Sequence, residues 1–547
     1  MCGILVWFSK ENSTLSLENQ LKKIKHRGPD STDIVRRVGA FGEITFGFNR
    51  LSIINPGAGG DQPIDIGGVV LACNGEIYNY RELATLVDLN PENFKSDCEI
   101  IIHLYLKFGI DYCVKNLDGV FSFVLWDSNN NRLYAARDPI GVRPMFHSHH
   151  KSGIAFCSEI KGLSGTFDNV LAFPPSFIGV YHTEESCDPS VWKLRRYADI
   201  TDAGSFLSFG GDREFITNRI RDLLTNAVKK RLMSDRPICY MLSGGLDSSL
   251  IAAIASRIVS PERVQCFSIG SHDCPDIKKA KIVADYLGAQ HTIVDFNFKD
   301  GIDVLRDTIY HLESYDCTTI RASVPMYLLS QYISKNTNYR VVLSGEGADE
   351  IFGGYLYFSY APNAQSFQWE TKLLTEQLYW FDVLRADRTT SAHGLEVRVP
   401  FLDKKFLQHV FEIDSRLKEI KIPGTGVAQH GMSMEKQILR ESFEGYLPKS
   451  ILYRQKNAFS DSVGYGWVDA LKDYAASVVT DEEFLKQNNF STNKPLTKEE
   501  YLYRKIYHEF YPQKGELPRM WRPKWTSVTD PSATYLSVQE DCRTKIN

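Results

Sequence analysis

The chain lacks most of the marks that set a protein apart from ordinary soluble globular folds. Its eleven cysteines include no CxxC pair and show no regular spacing, which argues against a zinc site and a disulfide framework. No apolar run approaches the roughly 20 residues that cross a bilayer. The apolar stretch from Ile4 to Phe8 is short and has no basic residues before it, so the sequence predicts neither export nor a membrane anchor but a cytoplasmic chain. Neither sign of charge dominates: 63 Lys and Arg stand against 67 Asp and Glu, a net charge of −4, and nothing calls for nucleic acid or a membrane surface as partner. Internal repeats and low-complexity segments are also missing. What is present is 547 residues, 43% of them hydrophobic, which is too long for one hydrophobic core and predicts two large domains.

The pattern changes once along the chain. From Ala40 to Phe167 the apolar stretches are short and β-rich, as at Val69 to Cys73, Gly119 to Trp126 and Arg132 to Arg137, and only Cys98 to Phe108 reads as helix. This predicts a sandwich of antiparallel strands. Around Ala203-Gly204-Ser205 and Gly210-Gly211-Asp212 the composition turns to Gly and Ser, which places a boundary between a domain over 2–205 and one over 212–540. Asp212 is a candidate cap for a helix carrying Ile216, Ile220, Leu223, Leu224, Ala227 and Val228 at helical spacing. Beyond it, buried-strand candidates at Ile238 to Leu242, Val264 to Ile269, His291 to Phe296 and Arg340 to Leu343 alternate with helices at Ser248 to Val259, Ile277 to Leu287 and Val324 to Ser334, which predicts a doubly wound parallel sheet. From about Ser359 the chain reads as mostly helical, and the Pro- and Trp-rich stretch from Pro512 as a surface wrap.

Two strand ends carry chemistry. Ile238 to Leu242 runs into Ser243-Gly244-Gly245-Leu246-Asp247-Ser248-Ser249 and then a helix, the arrangement of an anion site at a helix N-terminus. No Gly-Lys-Ser/Thr follows, so this is no Walker A loop, and a pyrophosphate is the better fit. Arg340 to Leu343 runs into a second loop, Ser344-Gly345-Glu346-Gly347-Ala348-Asp349-Glu350, also at the carboxyl end of a strand, where open α/β sheets bind ligands. Asp247 and Asp349 are natural oxygen ligands for Mg²⁺, and Glu346 is placed for proton transfer. At the other end of the sequence, removal of Met1 would leave Cys2 with a free α-amine, and an amine of pKa near ~8 can take the thiol proton with no histidine to help.

With these loops the chain resembles the glutamine-hydrolysing asparagine synthetases. The match runs through Met1-Cys2-Gly3-Ile4, His26-Arg27-Gly28-Pro29-Asp30, Arg50-Leu51-Ser52-Ile53, Asn74-Gly75-Glu76-Ile77-Tyr78-Asn79, Ser96-Asp97-Cys98-Glu99 and Arg137-Asp138. It continues through both glycine loops, Tyr310-His311 to Ser323, Val399-Pro400-Phe401-Leu402-Asp403 and Arg454-Gln455-Lys456 to Asp530-Pro531-Ser532-Ala533. The resemblance implies an N-terminal αββα sandwich of antiparallel sheets, of the N-terminal-nucleophile hydrolase type, joined to an ATP-pyrophosphatase domain. It implies that Cys2 attacks glutamine, that Asn74 and the Gly75 N–H form the oxyanion hole, and that Arg50 and Asp97 grip the glutamine backbone charges with Glu76 supporting. In the second domain it assigns Leu242, Ser243, Gly244, Gly245, Asp247, Ser248, Ile269, Ser344, Gly345 and Lys456 to ATP and pyrophosphate. Thr318, Arg321, Asp382 and Arg385 fall around the intermediate, Asp247 and Asp349 on Mg²⁺, and Glu346 becomes the base for the attacking ammonia.

The implied reaction takes L-aspartate through β-aspartyl-AMP to L-asparagine, with ATP and Mg²⁺, and requires ammonia to travel between two sites through an apolar passage. A homodimer is left open. Two positions depart from the family pattern: Asn457 stands where glutamate is usual and Ser462 where glycine is usual, both beside Lys456. Two other readings stay open on sequence alone. One is a related synthetase that adenylates a different carboxylic acid; the other is a paralogue without catalysis.

Overall fold

In a computed structural model, the structure describes residues 1–10, 17–150, 152–183, 192–201, 212–271, 274–419, 434–454, 466–486, 490, 492–512 and 518–526. The boundary segments at 203–205 and 210–211, Lys456 with its neighbours Asn457 and Ser462, and the 530–533 motif lie outside the described residues.

The N-terminal half holds two six-stranded antiparallel sheets. The first runs in the order β10 (Leu171–Ala172), β8 (Phe146–His150), β9 (Gly153–Cys157), β1 (Gly3–Ser9), β3 (Gly42–Arg50), β2 (Ser31–Gly39). The second runs β12 (Lys193–Arg196), β11 (Phe177–His182), β7 (Arg132–Arg137), β6 (Gly119–Asp127), β5 (Val69–Ile77), β4 (Ile64–Ile66). Alternation along the strands explains the layering, because successive side chains leave opposite faces. Ile4, Val6 and Phe8 of β1 meet Val70 and Ala72 of β5 in one core between the sheets. Leu5 and Trp7, on the other face of β1, pack on Leu21 of helix Glu18–Lys23, while Val69, Leu71 and Cys73 of β5 pack on Leu83 and Ile101 from the helices Tyr80–Leu86 and Ile100–Phe108. Strands buried on both faces between two helical layers make the αββα sandwich that the resemblance implies.

The second half is built on a five-stranded parallel sheet in the order β15 (Gln290–Val294), β14 (Gln265–Ile269), β13 (Ile238–Met241), β16 (Val341–Leu343), β17 (Glu396–Arg398). The four strands expected from sequence are present within one or two residues of their expected ends. Helices Leu246–Ile258, Pro275–Leu287 and Cys317–Asn336 connect them, and helix Arg213–Lys230 is capped as expected, Asp212 Oδ1 accepting from the Glu214 N–H at 3.0 Å. The order places the reversal of winding between β13 and β16. Both glycine loops leave the carboxyl ends of that pair, the place where a doubly wound sheet opens a crevice.

Strand β17 escaped the sequence reading, and it forms the seam between the halves. It is an edge strand of three residues, and its two polar side chains point into the N-terminal half: Glu396 Oε2 lies 3.2 Å from the Met1 amine, and Arg398 Nη2 3.4 Å from Glu76 Oε2. Arg143 of the N-terminal half donates to the Val397 carbonyl at 3.3 Å. Farther along the seam, Arg27 pairs with Asp387 and Lys161 with Glu313. The layer between the halves next to Cys2 is therefore rich in buried ion pairs.

Candidate active sites

The strand order of the first half brings two sequence-distant segments to Cys2. Gly3 of β1 pairs with Asn49 of β3, so Arg50 and Leu51 follow directly beside the N-terminus. Cys2 Sγ sits 3.8 Å from the Leu51 carbonyl, and the Cys2 backbone N–H donates to Asn74 Oδ1 at 2.8 Å. Asn74 is fully buried at the end of β5, and its Nδ2 has no hydrogen-bond partner. A buried amide donor left unpaired costs about 1–3 kcal/mol. Gly75 is required by crowding, since a Cβ there would lie 2.6 Å from the Val120 carbonyl oxygen of β6. Burial pushes the Cys2 thiol up, and the N-terminal ammonium opposes it.

Arg50 and Asp97 flank this center. The Arg50 guanidinium donates to Gly57 O at 2.7 Å, Asp61 Oδ1 at 2.9 Å and Asn55 O at 2.6 Å, and Gly60 leaves it room: a Cβ on Gly60 would lie 2.2 Å from Arg50 Nη2. Asp97 accepts from the Ile77 N–H at 2.6 Å. Burial and the nearby Glu396 carboxylate push the Asp97 carboxyl up to about 6, against the hydrogen bond from Ile77. Glu76, deeper, is raised well above the usual carboxylate range by burial and by Glu396 and Asp97.

The second half opens a cavity of about 230 Å³ between the two glycine loops. The loops touch: a Cβ on Gly345 would lie 2.7 Å from the Ser248 nitrogen. Ser243 Oγ and Ser248 Oγ are 3.0 Å apart, holding the turn at the start of helix Leu246–Ile258. Gly244 has φ +72 and packs on the helix Pro275–Leu287, where a Cβ would meet the Ala280 nitrogen at 2.5 Å. Of the expected residues, Leu242, Ser243, Gly245, Asp247, Ser248, Ile269 and Thr318 line the cavity. So do Ser344, Gly345, Glu346, Asp349, Asp382 and Arg385, whereas Gly244 supports the loop from behind. Glu346 Oε2 pairs with Arg385 Nη2 at 2.5 Å, and Arg385 Nη1 with Asp382 at 2.9 Å. Burial raises the Glu346 carboxyl, with Arg385 pulling the other way.

Arg321 departs from expectation. Its guanidinium forks onto Glu499 of helix Lys498–Phe510, at 2.8 Å and 2.6 Å, with both side chains buried, and it does not line the cavity. Sequence reasoning also missed several lining residues, among them Lys436, Glu435, Tyr355 and Arg454. Arg454 had a signal, standing in a matched motif beside Lys456, and donates to the Gly244 carbonyl at 3.0 Å. Lys436 had none; its ammonium bridges Asp247 and Asp349.

A cysteine at the second position of an antiparallel αββα sandwich, joined to a parallel sheet with two glycine loops at its switch point, defines a two-site amidotransferase and nucleotide-using synthetase. Comparison with known proteins makes this particular. The glutamine amidotransferase domain family matches residues 1–188, and the asparagine synthase family matches 219–372 and 359–539. The asparagine synthetase (glutamine-hydrolyzing) of Mus musculus is 41% identical over 566 residues, 98% of this chain and 99% of its own. That of Homo sapiens gives the same identity and coverage, and that of Gallus gallus is 40% identical over 98% of both chains. The chain belongs to the glutamine-hydrolysing asparagine synthetase family. No helix among the described residues is long and apolar enough to cross a membrane.

Proposed function

We propose that this chain makes L-asparagine from L-aspartate, using ATP and the amide nitrogen of L-glutamine, with residues 2–205 as the glutaminase and 212–540 as the synthetase. The observation that carries the first half is the bond from the Cys2 nitrogen to Asn74 Oδ1, 2.8 Å, beside an unpaired Asn74 Nδ2. While Met1 is retained the terminal amine is held on Glu396, at 3.2 Å. Its excision transfers the free amine to the Cys2 nitrogen, already positioned by Asn74. That amine takes the thiol proton, sulfur attacks the glutamine carboxamide carbon, and the oxyanion is met by Asn74 Nδ2 and the Gly75 N–H. Collapse expels ammonia with the proton the amine held, and water then hydrolyses the thioester to glutamate. Arg50 and Asp97 complement the α-carboxylate and α-ammonium of glutamine, with Glu76 behind them.

In the second half, Ser243, Gly244, Gly245 and Ser248 suit a pyrophosphate by backbone N–H groups and hydroxyls, with Leu242, Ser344 and Gly345 beside them, Lys456 added by the family pattern and Ile269 against adenine. Asp247 and Asp349 would hold Mg²⁺: both are carboxylates, the donors that ion prefers, and both already reach one cationic group. Such an ion supplies charge neutralisation for the departing pyrophosphate. The aspartate side-chain carboxylate attacks the α-phosphate, Thr318, Asp382 and Arg385 hold the resulting β-aspartyl-AMP, and Glu346 takes a proton from ammonia as it displaces AMP. Among the described residues every cysteine is unpaired, which fits a reducing cytoplasm.

Amide-¹⁵N-glutamine, aspartate and Mg·ATP supplied together test the reading. Asparagine carrying ¹⁵N in its side-chain amide, with AMP in equal amount, is expected. Glutamate without labelled asparagine would point to a different acceptor acid, and no glutamate at all to a paralogue without catalysis.

A further inference from the structure

Lys436 stands where the two glycine loops meet, with its nitrogen 2.6 Å from Asp247 Oδ2 and 2.5 Å from Asp349 Oδ1 and its side chain 3% exposed. This is a built position. The backbone of Lys436 is left-handed, φ +56, which a side-chain-bearing residue adopts only when its surroundings hold it there. Helix Gln437–Ser442 begins at the next residue. Across the cavity Gly354 clears the path of the stem, for a Cβ there would lie 2.2 Å from Lys436 Cε and 2.1 Å from Asp349 Oδ1. The nearby guanidinium groups have acidic partners of their own: Arg385 pairs with Glu346, Arg440 with Glu435, and Arg454 with Asp276.

An ammonium held by two carboxylates and a divalent cation bound by the same two compete for the same lone pairs, since Mg²⁺ takes oxygens at roughly 2.0–2.1 Å and leaves no room for a third partner in line. We propose that Lys436 is the resident cation of the Asp247–Asp349 pair and makes divalent-metal binding conditional on nucleotide. In the nucleotide-free site one ammonium offsets half the charge of two half-buried carboxylates and excludes free metal. A triphosphate brings several negative charges to the cavity, so the metal enters with it and the lysine ammonium transfers from the carboxylates to phosphate oxygens. The loops are thereby kept in register when empty, and neither aspartate binds stray divalent ions. Lys436 is a positioning residue in the empty site and a phosphate ligand in the filled one. The proposal rests on reading Asp247 and Asp349 as the metal pair.

Mn²⁺ binding followed by electron paramagnetic resonance separates the two. With α,β-methylene-ATP, the wild-type protein should take up one Mn²⁺ per chain in an Asp349-dependent way; without nucleotide it should take up none in the same concentration range. Lys436→Met, and as a gentler change Lys436→Gln, should bind one Mn²⁺ per chain without nucleotide, at least about tenfold more tightly than wild type, and added Asp349→Asn should abolish it. Glutamine hydrolysis, carried by the other half, and near-ultraviolet circular dichroism report that the variants are folded. Nucleotide-free wild-type protein binding Mn²⁺ as tightly as the folded Lys436 variants, or neither folded variant binding it, overturns the lysine's role. Absence of Asp349-dependent Mn²⁺ even with nucleotide overturns the metal reading and the proposal with it.

Discussion

Arg27 of the N-terminal half and Asp387 of the C-terminal half form a buried, two-pronged ion pair, Nη1 to Oδ2 at 2.8 Å and Nη2 to Oδ1 at 3.2 Å. The same guanidinium reaches back through Nε to the Cys2 carbonyl, at 3.0 Å. A single side chain thus ties the nucleophile's backbone to the synthetase helix Asp382–Ser391. Breaking a buried pair costs about 3–5 kcal/mol when a charge is left uncompensated; Arg27 keeps Glu159 as a second partner at 2.7 Å, so the loss of Asp387 alone costs less. Asp387→Ala should lower the first thermal unfolding transition and reduce glutamine hydrolysis more than it reduces ammonia-dependent synthesis. Equal loss of both activities, with unchanged unfolding, would show that Arg27 does not position Cys2.

Cys2→Ala should abolish glutamine-dependent asparagine formation and leave ammonia-dependent formation intact, because its nitrogen and thiol bond to Asn74 and Leu51, both in the first half. A retained N-terminal extension should have the same effect with the thiol present, since it keeps the amine off the Cys2 nitrogen. Intact mass must confirm retention. Full glutamine-dependent turnover in such a protein would remove the α-amine from the mechanism.

Asp97 gives the pH dependence a sign. Its folded pKa, pushed up to about 6 chiefly by burial, lies above the unfolded value of about 3.9. Between those values the folded protein binds one more proton than the unfolded chain, so this group's stabilising contribution is present below about 4 and is lost as pH rises through 6. Asp97→Asn should therefore make the glutamine-free protein more stable at pH 7.5, by up to about 3 kcal/mol. It should also weaken glutamine binding by about 1.5–3 kcal/mol, the worth of a hydrogen bond to a charged group. In the wild type, KM for glutamine should rise as pH falls below 6. Melting curves and KM, measured on the same preparations, check both arms; if ammonia-dependent activity fell equally in Asp97→Asn, the residue would be structural.

What could be seen in the sequence was local. A strand followed by Ser-Gly-Gly-Leu-Asp-Ser and a helix announces its own geometry, as does alternation such as Ile4, Val6, Phe8, and both loops sit where such segments belong in a doubly wound sheet. What escaped depends on partners far along the chain. Thr318 and Arg321 lie one turn apart on helix Cys317–Asn336, yet one lines the cavity and the other turns to Glu499, 178 residues away. Glu396 meets the Met1 amine across 395 residues. Strand β17 is too short for periodicity, and two of its three residues, Glu396 and Arg398, are charged, so it does not read as a buried strand. Lys436 resembles any charged residue preceding a helix until the two loops close over it.

The loops also decide which bond of ATP breaks. Backbone N–H groups and hydroxyls at the start of helix Leu246–Ile258 suit a pyrophosphate leaving group, and the loop Ser243 to Ser249 carries no Walker lysine for a transferring γ-phosphate. Attack at the α-phosphate moves one oxygen of the aspartate carboxylate into AMP; attack at the γ-phosphate moves it into orthophosphate and leaves ADP. Aspartate labelled with ¹⁸O in its side-chain carboxylate should give AMP carrying one ¹⁸O, read by mass spectrometry, and labelled orthophosphate with ADP would overturn the assignment. Variants then divide the steps. Asp247→Asn and Asp349→Asn should each slow exchange of labelled pyrophosphate into ATP by about 10²-fold or more, because they weaken the charge neutralisation of the leaving group. Glu346→Gln keeps the shape beside Arg385 but removes a base, so pyrophosphate exchange should persist while asparagine formation falls by about 10²-fold. Loss of exchange in Glu346→Gln as severe as in Asp247→Asn would place Glu346 in the first step, as a partner that holds Arg385, and leave the ammonia step to another group.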